Sequence, residues 1–183
     1  MVDRARRKRT GAAGRISEAK RILQGLRVPR EQQNERSALT LLALLEMTPG
    51  KRWAEAGAPM FGITEMMNYF QNHFGKKYAP NTREPVRRFT VHQFVQMGLV
   101  LANPDDPGRP INSPDNRYQV APILLKLVWE YGSPSWDESL TNFVNSSEAL
   151  RRLQPRERKM KLIPVRLPDG RDLNLTAGGQ NEL

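Results

Sequence analysis

The sequence predicts a mainly α-helical domain with a small β-hairpin, and three observations support this fold class. Apolar residues recur at helical spacing in several stretches of the first 144 residues. Past Gly98 the pattern changes to two short strand-like runs, separated by a segment rich in proline, glycine, asparagine and aspartate. The chain has 183 residues and no cysteine, so disulfides play no part in the fold.

Two helices are predicted in the first part of the chain. The first begins at Ile16 and ends before Pro29, because apolar residues recur there at intervals of three and four. The second runs from Asn34, a cap-like residue, to Met47. It is apolar nearly all round, so we expect it to be the buried central helix. Pro49 ends it, since proline cannot continue the hydrogen-bond ladder.

A pair of helices is predicted next, over residues 64–75 and 82–97. Asn81 or Thr82 is expected to cap the second helix, and Pro85 falls in its first turn, where the missing N–H is not needed. One side of this helix should face the core and the other side should face out. The residues expected to face the core are Val86, Phe89, Phe94 and Met97.

Two strands, at residues 99–101 and 118–120, are predicted to form a hairpin with a long tip. A fifth helix over 122–131 follows, with Ile123 in its buried stripe. A sixth helix is predicted to begin at Ser135, which forms a capping-box pattern with Glu138.

The order of these elements is typical of a winged helix-turn-helix domain, which we assign to residues 15–150. In such a domain the second helix of the pair enters the major groove of DNA. The hairpin then lies as a wing on the DNA backbone or in the minor groove. Consecutive helices are common in α-helical proteins, so the order of the elements alone does not identify this domain. Basic and polar residues at the expected DNA-binding positions are needed as further support.

Positive charge is concentrated at the N-terminus. The chain carries 29 basic and 19 acidic residues, and ten of the basic ones, including Arg15, lie in residues 1–30 with only two acidic ones. Such an excess favours a polyanion such as double-stranded DNA as partner, although a merely solubilising tail is the alternative. Residues 1–14 are expected to be a disordered basic leader. Its candidate contacts for non-specific DNA binding are Arg4, Arg6, Arg7, Lys8 and Arg9.

Candidate DNA-binding residues collect at the start of the helix over 82–97 and in the hairpin tip. In the major groove, arginine can make a bidentate pair of hydrogen bonds with guanine, and asparagine can do the same with adenine. The alternative is a solvated helix face in which an arginine pairs with Glu84. In the tip, Asn116 is a further candidate for a phosphate contact, whereas Asp105 and Asp106 would repel phosphates. The assigned candidates are Asn81, Thr82, Arg83, Arg87, Arg88, Arg109, Asn112 and Arg117.

The sequence contains no complete catalytic site. The lack of cysteine removes zinc fingers, iron–sulfur clusters and thiol nucleophiles, and it suits a reducing cytoplasmic compartment. His73 and His92 have no partner at a metal-ligand spacing, so we interpret both as structural and expect no metal or cofactor in this chain. No apolar run approaches the roughly 18 to 20 residues that span a bilayer, so no membrane partner is expected.

The C-terminal segment is interpreted as a linker and the truncated start of an α/β domain, over residues 151–183. Residues 160–165 and 172–175 resemble the strands of a hairpin, and residues 176–183 the start of a helix. The charged run 151–161 would be the linker. A two-stranded hairpin has no core of its own, so it is expected to belong to a larger domain.

Three long blocks of sequence carry a resemblance to a known family. They read NERSALTLLALL at residues 34–45, PGKRWAEAGAPMFGIT at 49–64 and KKYAPNTREPVRRFTVHQFVQMGLVLANPDDPGRPINSP at 76–114. IPVRLPDG at 163–170 and GGQNEL at 178–183 continue it. Through these blocks, residues 16–183 resemble the N-terminal part of BsuBI/PstI-type restriction endonucleases. The basic leader lies outside the resemblance. Pro85 is a second difference, because many relatives have an ordinary residue in place of proline at this position.

The resemblance implies a type II restriction enzyme, a Mg²⁺-dependent deoxyribonuclease that cuts a palindromic site related to CTGCAG. It further implies a homodimer that works beside a cognate methyltransferase in a restriction-modification system. The nuclease domain of such enzymes would lie beyond Leu183, with Glu182 as an outlying acid of its site. This chain alone is therefore expected to be catalytically inactive.

Two other functions fit the same residues. The first is a stand-alone winged-helix regulator without nuclease activity. In the second, the helices over 34–47 and 122–144 form a dimer interface and the domain touches DNA only indirectly. Val91 and Val95 are compatible with that case, because they lie off the apolar stripe of their helix.

Overall fold

Helices form most of the structure, a computed structural model that describes residues 10–159, 162–166 and 172–176, with side chains described over 10–147. The chain divides into two compact units, Met1–Val144 and Asn145–Leu183. No helix among the described residues is both long and apolar enough to cross a lipid bilayer.

The central helix lies where the sequence predicts it. Helix α1 is Ala12–Gly25 and helix α2 is Glu35–Leu44. Asn34 caps α2, since its side-chain oxygen accepts a hydrogen bond from the backbone N–H of Ser37 at 2.9 Å. From Ser37 onward every residue of α2 is buried, and the helix packs against α1 and α3, which is Ile63–Phe74.

Helix α1 begins earlier than the sequence indicated. Residues 12–14 were expected in the disordered leader, but they form the first turn of α1. Alanine is the best helix former, and the two alanines in this turn favour its extension toward the N-terminus. Residues 1–9 of the basic leader lie outside the described residues.

The second helix of the predicted pair consists of three segments. Helix α4 is Arg83–Val86, a π-helical turn follows over Arg87–Val91, and helix α5 is His92–Gln96. We call residues 83–96 the segmented helix. It is preceded by a 3-10 turn, Pro80–Thr82, and the Thr82 side chain makes no capping hydrogen bond, so the predicted cap is wrong.

The π-helical turn changes which residues face the core. Val86 and Phe94 are buried as expected, but Phe89 is 54% exposed, so its predicted core position is wrong. Val91 is completely buried instead, which corrects its assignment to a free dimer surface. A π turn holds an extra residue compared with an α-helical turn, and the faces of the helix therefore shift.

The hairpin strands are confirmed. Strand β1, Val100–Ala102, pairs antiparallel with β2, Tyr118–Val120, with Val100 opposite Val120. Phe61 adds a bridge to β2, because it exchanges backbone hydrogen bonds of 2.8 and 2.9 Å with Tyr118. The segment before α3 is thus tied to the hairpin.

Two further helices follow the hairpin. Helix α6 is Pro122–Trp129 and helix α7 is Trp136–Lys159. Ile123 was expected in the buried stripe of α6, but it is 55% exposed. The charged run 151–161, which is expected as a linker, is helical through Lys159, because a high density of charge does not exclude a helix.

The second unit contains a hairpin of two strands. Strand β3, Leu162–Arg166, pairs antiparallel with β4, Asp172–Thr176, with Leu162 opposite Thr176. This agrees with the predicted strands. The segment between the two strands and residues 177–183 of the predicted helix lie outside the described residues.

Candidate nucleic-acid interface

A cleft separates the start of the segmented helix from the hairpin tip. Its volume is about 430 Å³, and it contains four of the predicted DNA-binding residues. Asn81, Arg83 and Arg87 line the helix side, and Asn112 lines the hairpin side. Chain segments that are far apart in sequence are thus brought together. The remaining lining residues are Pro80, Glu84, Ile111, Ser113 and Pro114.

Arg87 is held by Glu84 on the same helix. Its Nε donates to Oε2 of Glu84 at 2.9 Å and its Nη2 donates to Oε1 at 2.7 Å, which is a bidentate geometry. The hydrogen bond from Arg87 lowers the pKa of the Glu84 carboxyl, and the same bond raises the pKa of Arg87. Both groups are therefore charged at neutral pH. The predicted alternative, an arginine paired with Glu84, is the arrangement observed here.

Arg88 and Arg83 are more accessible cations. The Arg88 side chain is 66% exposed, and its Nε lies 3.9 Å from Oε1 of Glu84. Arg83 is exposed and borders the cleft. Thr82 precedes Arg83 and is half-buried. Arg88 and Arg83 can therefore reach an anionic partner without a rearrangement of the fold.

An exposed line of polar residues continues from Arg88 along the segmented helix. Arg88, His92 and Gln96 follow one another at intervals of four, and all three are exposed. Nε2 of His92 lies 3.1 Å from Nε2 of Gln96. The sequence interpretation treated His92 as structural and did not consider Gln96. The four-residue spacing from Arg88 was the signal that could have identified both.

Arg109 is engaged within the hairpin tip. Its Nη2 donates to Oδ2 of Asp105 at 2.7 Å and its Nη1 donates to Oδ1 of Asn103 at 3.0 Å, and the side chain is only 17% exposed. The hydrogen bond from Arg109 lowers the pKa of Asp105. Asp106 lies 3.8 Å away, so two carboxylates balance this guanidinium.

Asn116 is a second residue whose side chain is hydrogen-bonded within the hairpin tip. Its side chain accepts a hydrogen bond from Asn103 at 2.9 Å and donates one to the Ile111 carbonyl at 2.6 Å. Because Asn116 is buried, its predicted contact with a phosphate is wrong. Asn112, its exposed neighbour four residues earlier, remains accessible.

Arg117 connects the hairpin to α3. Its Nη1 donates to the carboxylate of Glu65, in the first turn of α3. The same carboxylate accepts a hydrogen bond from the Gly62 backbone N–H at 2.6 Å, and this bond is the main reason that the pKa of Glu65 is lowered. This pairing fixes the hairpin relative to the helix pair.

One cation of the N-terminal region, Arg15, is not available at the surface. Arg15 is only 4% exposed and pairs with Glu18 at 2.5 Å. The candidate contacts of the leader, Arg4, Arg6, Arg7, Lys8 and Arg9, lie outside the described residues, as does Glu182.

The described residues do not provide a metal site. No group of three or more histidines and carboxylates in this part of the chain is arranged to hold a metal ion. The Mg²⁺ that the resemblance implies therefore does not fit the described residues, and no catalytic step can be derived from them.

Known proteins with similar sequence and fold are restriction endonucleases. Residues 13–152 match the family model of the BsuBI/PstI restriction endonuclease HTH domain. The chain is 43% identical over 173 residues to the type II restriction enzyme BsuBI of Bacillus subtilis, covering 94% of this chain and 55% of that enzyme. It is 34% identical over 166 residues to the type II restriction enzyme AplI of Arthrospira platensis, covering 91% of this chain and 51% of that enzyme.

A solved structure agrees with these sequence matches. The structure of SdaI restriction endonuclease matches with a TM-score of 0.71 and 29% sequence identity, covering 94% of this chain and 54% of that one. The chain thus spans about half the length of the relatives that it matches.

Proposed function

The chain belongs to the BsuBI/PstI restriction endonuclease family, and from this we propose that it is the DNA-recognition region of a type II restriction endonuclease whose site is related to CTGCAG. Its partner in this proposal is double-stranded DNA in the cytoplasm, and the full-length enzyme acts as a homodimer. Phosphodiester cleavage with Mg²⁺ is assigned to the part of the relatives that this chain does not span.

The observation that carries the proposal is the cleft between the segmented helix and the hairpin tip. It unites Asn81, Arg83 and Arg87 with Asn112. In the proposed winged helix-turn-helix arrangement, α3 and the segmented helix are the helix pair, and the hairpin over residues 99–120 is the wing. Asn81, in the turn before the second helix, and Arg88, on that helix, are then suited to read adenine and guanine.

The paired arginines of the hairpin have a different role in this proposal. Arg109 is engaged by Asp105 and Asn103, and Arg117 is engaged by Glu65. We assign them to hold the wing in position against the helix pair. Asn112 and Arg83, which are exposed on either side of the cleft, are assigned to contact the DNA backbone.

Binding to a CTGCAG duplex tests the proposal directly. The expected result is tighter binding to this duplex than to one with the six bases scrambled, at about 50 mM and again at about 200 mM salt, because base contacts discriminate between sequences while phosphate contacts weaken as salt rises. Fluorescence anisotropy with labelled duplexes measures both affinities. Equal binding to the two duplexes, fading steeply with salt, would mean that this region only clamps the DNA backbone and does not read the site.

Removal of residues 1–9 tests the role of the basic leader. The deletion stops before Ala12, so that α1 stays complete. Affinity for both duplexes should fall by a similar factor, and the slope of log affinity against log salt should become shallower by about 0.9 for each leader cation that contacts a phosphate. A variant with Arg4, Arg6 and Arg7 replaced by lysine keeps the charge and should retain the slope. An unchanged slope after the deletion would identify the leader as a solubilising tail.

A further inference from the structure

Phe89 is an aromatic side chain that lies exposed in the middle of the segmented helix. It is 54% exposed, and its neighbour Arg88 is exposed as well. The next two residues, Thr90 and Val91, are completely buried. Thr90 also accepts a hydrogen bond from Nε of Arg36 at 3.1 Å, so the buried side of the helix is firmly held against the core.

The exposure of Phe89 results from the π-helical turn over Arg87–Val91. With regular α-helical spacing, Phe89 falls with Val86 and Phe94 on the core side, but the extra residue of the π turn places Val91 in the core. Single exposed apolar residues are common on protein surfaces and require no explanation. Phe89 differs from these, because the π-helical turn moves its side chain from the core side of the helix to the exposed side. Such π turns frequently occur at functional sites.

The surroundings of Phe89 fit DNA rather than an apolar partner. The exposed residues near it on the segmented helix include Arg83, Arg88 and His92, and the exposed carboxylate of Glu84 is paired with Arg87. A cationic helix surface is complementary to the phosphates that border the major groove. Within that groove the apolar feature of the bases is the C5 methyl group of thymine, which phenylalanine and other apolar side chains contact.

We propose that Phe89 is a specificity-determining residue that contacts the C5 methyl group of the thymine in the recognition site. This inference rests on the proposed function, since it places the segmented helix in the major groove. Phe89 then favours thymine over any base that lacks the methyl group, while arginine and asparagine read the purines. The π-helical turn serves to present the ring on the outer surface.

Replacing thymine by deoxyuridine in CTGCAG removes only the methyl group and tests this contact. For the unmodified chain the affinity should fall about fourfold for each methyl group removed, the factor that corresponds to the burial of one such group. For Phe89→Ala, the thymine and deoxyuridine duplexes should bind equally. Phe89→Leu keeps an apolar side chain and should retain part of the preference for thymine. Replacement of thymines outside the six bases should have no effect on any of the three proteins.

Ile123→Ala is the matched control, because Ile123 is exposed to the same extent on α6. Its preference for thymine should equal that of the unmodified chain, and circular dichroism verifies that each variant is folded. If the unmodified chain prefers CTGCAG but binds thymine and deoxyuridine duplexes equally, the inference is wrong and the proposed function stands. The inference is also wrong if Phe89→Ala keeps the preference for thymine. If the unmodified chain does not distinguish CTGCAG from a scrambled duplex, the proposed function fails and this inference fails with it.

Discussion

Replacing Arg15 by alanine is expected to lower the free energy of unfolding by about 3 kcal/mol, because the substitution removes one partner from a mostly buried ion pair. Urea denaturation followed by tryptophan fluorescence measures this change, with Trp53 next to the site as a reporter. For a domain of this size, such a loss is a large part of the total stability.

The contacts of Arg15 explain why the effect should be large. Its guanidinium donates to Glu18 at 2.5 Å, to the Pro49 carbonyl at 3.4 Å and to the carbonyl of Lys51, and its Cζ lies 5.2 Å from the centre of the Trp53 ring. Alanine would leave both carbonyls without this donor. It would also remove the positive charge beside Glu18. The Glu18 carboxylate would keep the hydrogen bond that it accepts from the indole N–H of Trp53 at 2.8 Å. The loop after α2 would then lose the two hydrogen bonds that Arg15 of α1 donates to its carbonyls, while the one between Trp53 and Glu18 remains.

Arg21→Ala is the matched control for Arg15→Ala. Arg21 lies on the same helix but is exposed, so its replacement should change the stability by no more than about 0.5 kcal/mol. The two variants remove the same charge from the same helix and differ only in burial. If they unfold at the same urea concentration, the buried ion pair makes no net contribution to stability.

Local sequence signals were sufficient for much of the fold. Asn34 caps α2 as predicted, and α3 ends at Phe74, followed by Gly75 with a φ of 66°. A positive φ is unfavourable for side chains with a Cβ, so glycine at this position marks the helix end in the sequence. The change of period and the turn residues between the strands predicted them at 99–101 and 118–120, and the first one lies at 100–102, one residue later.

The failures have specific physical causes. The positions of Phe89 and Val91 were wrong because the prediction assumed a constant helical period, and a π turn leaves no simple mark in the sequence. The burial of Arg15 depends on Pro49 and Lys51, more than thirty residues away, so no local pattern reveals it.

The candidate site was predicted in part. The starts of helices and the tips of hairpins can be located from the sequence, and this was enough to select Asn81, Arg83, Arg87 and Asn112, which line one cleft. Their contact with DNA stays a prediction. The sequence did not show which arginines are already engaged. The pairing of Arg117 with Glu65 spans 52 residues, and it exists only because the hairpin packs beside α3.

Arg88→Ala is expected to weaken binding to the CTGCAG duplex by about 1–3 kcal/mol, because a bidentate contact between arginine and guanine contributes this much to discrimination between bases. Binding to the scrambled duplex should change much less, so the preference for CTGCAG should fall. Lys126→Ala removes an exposed charge from α6 and should leave the preference unchanged. Anisotropy titrations of the three proteins with both duplexes give the comparison.

Arg87 differs from Arg88, because its partner Glu84 responds to its removal. Arg87→Ala releases the Glu84 carboxylate from its bidentate partner, so that its negative charge in the cleft is balanced less closely, with Nε of Arg88 at 3.9 Å. We therefore expect Arg87→Ala to weaken binding to both duplexes, and a second change, Glu84→Gln, to restore part of the loss. Glu84→Gln alone should raise the affinity for both duplexes, since it removes a charge that repels phosphates. If Arg87→Ala and Arg88→Ala both bind CTGCAG like the unmodified chain, the segmented helix does not read the site, and the bases are contacted from another part of the molecule.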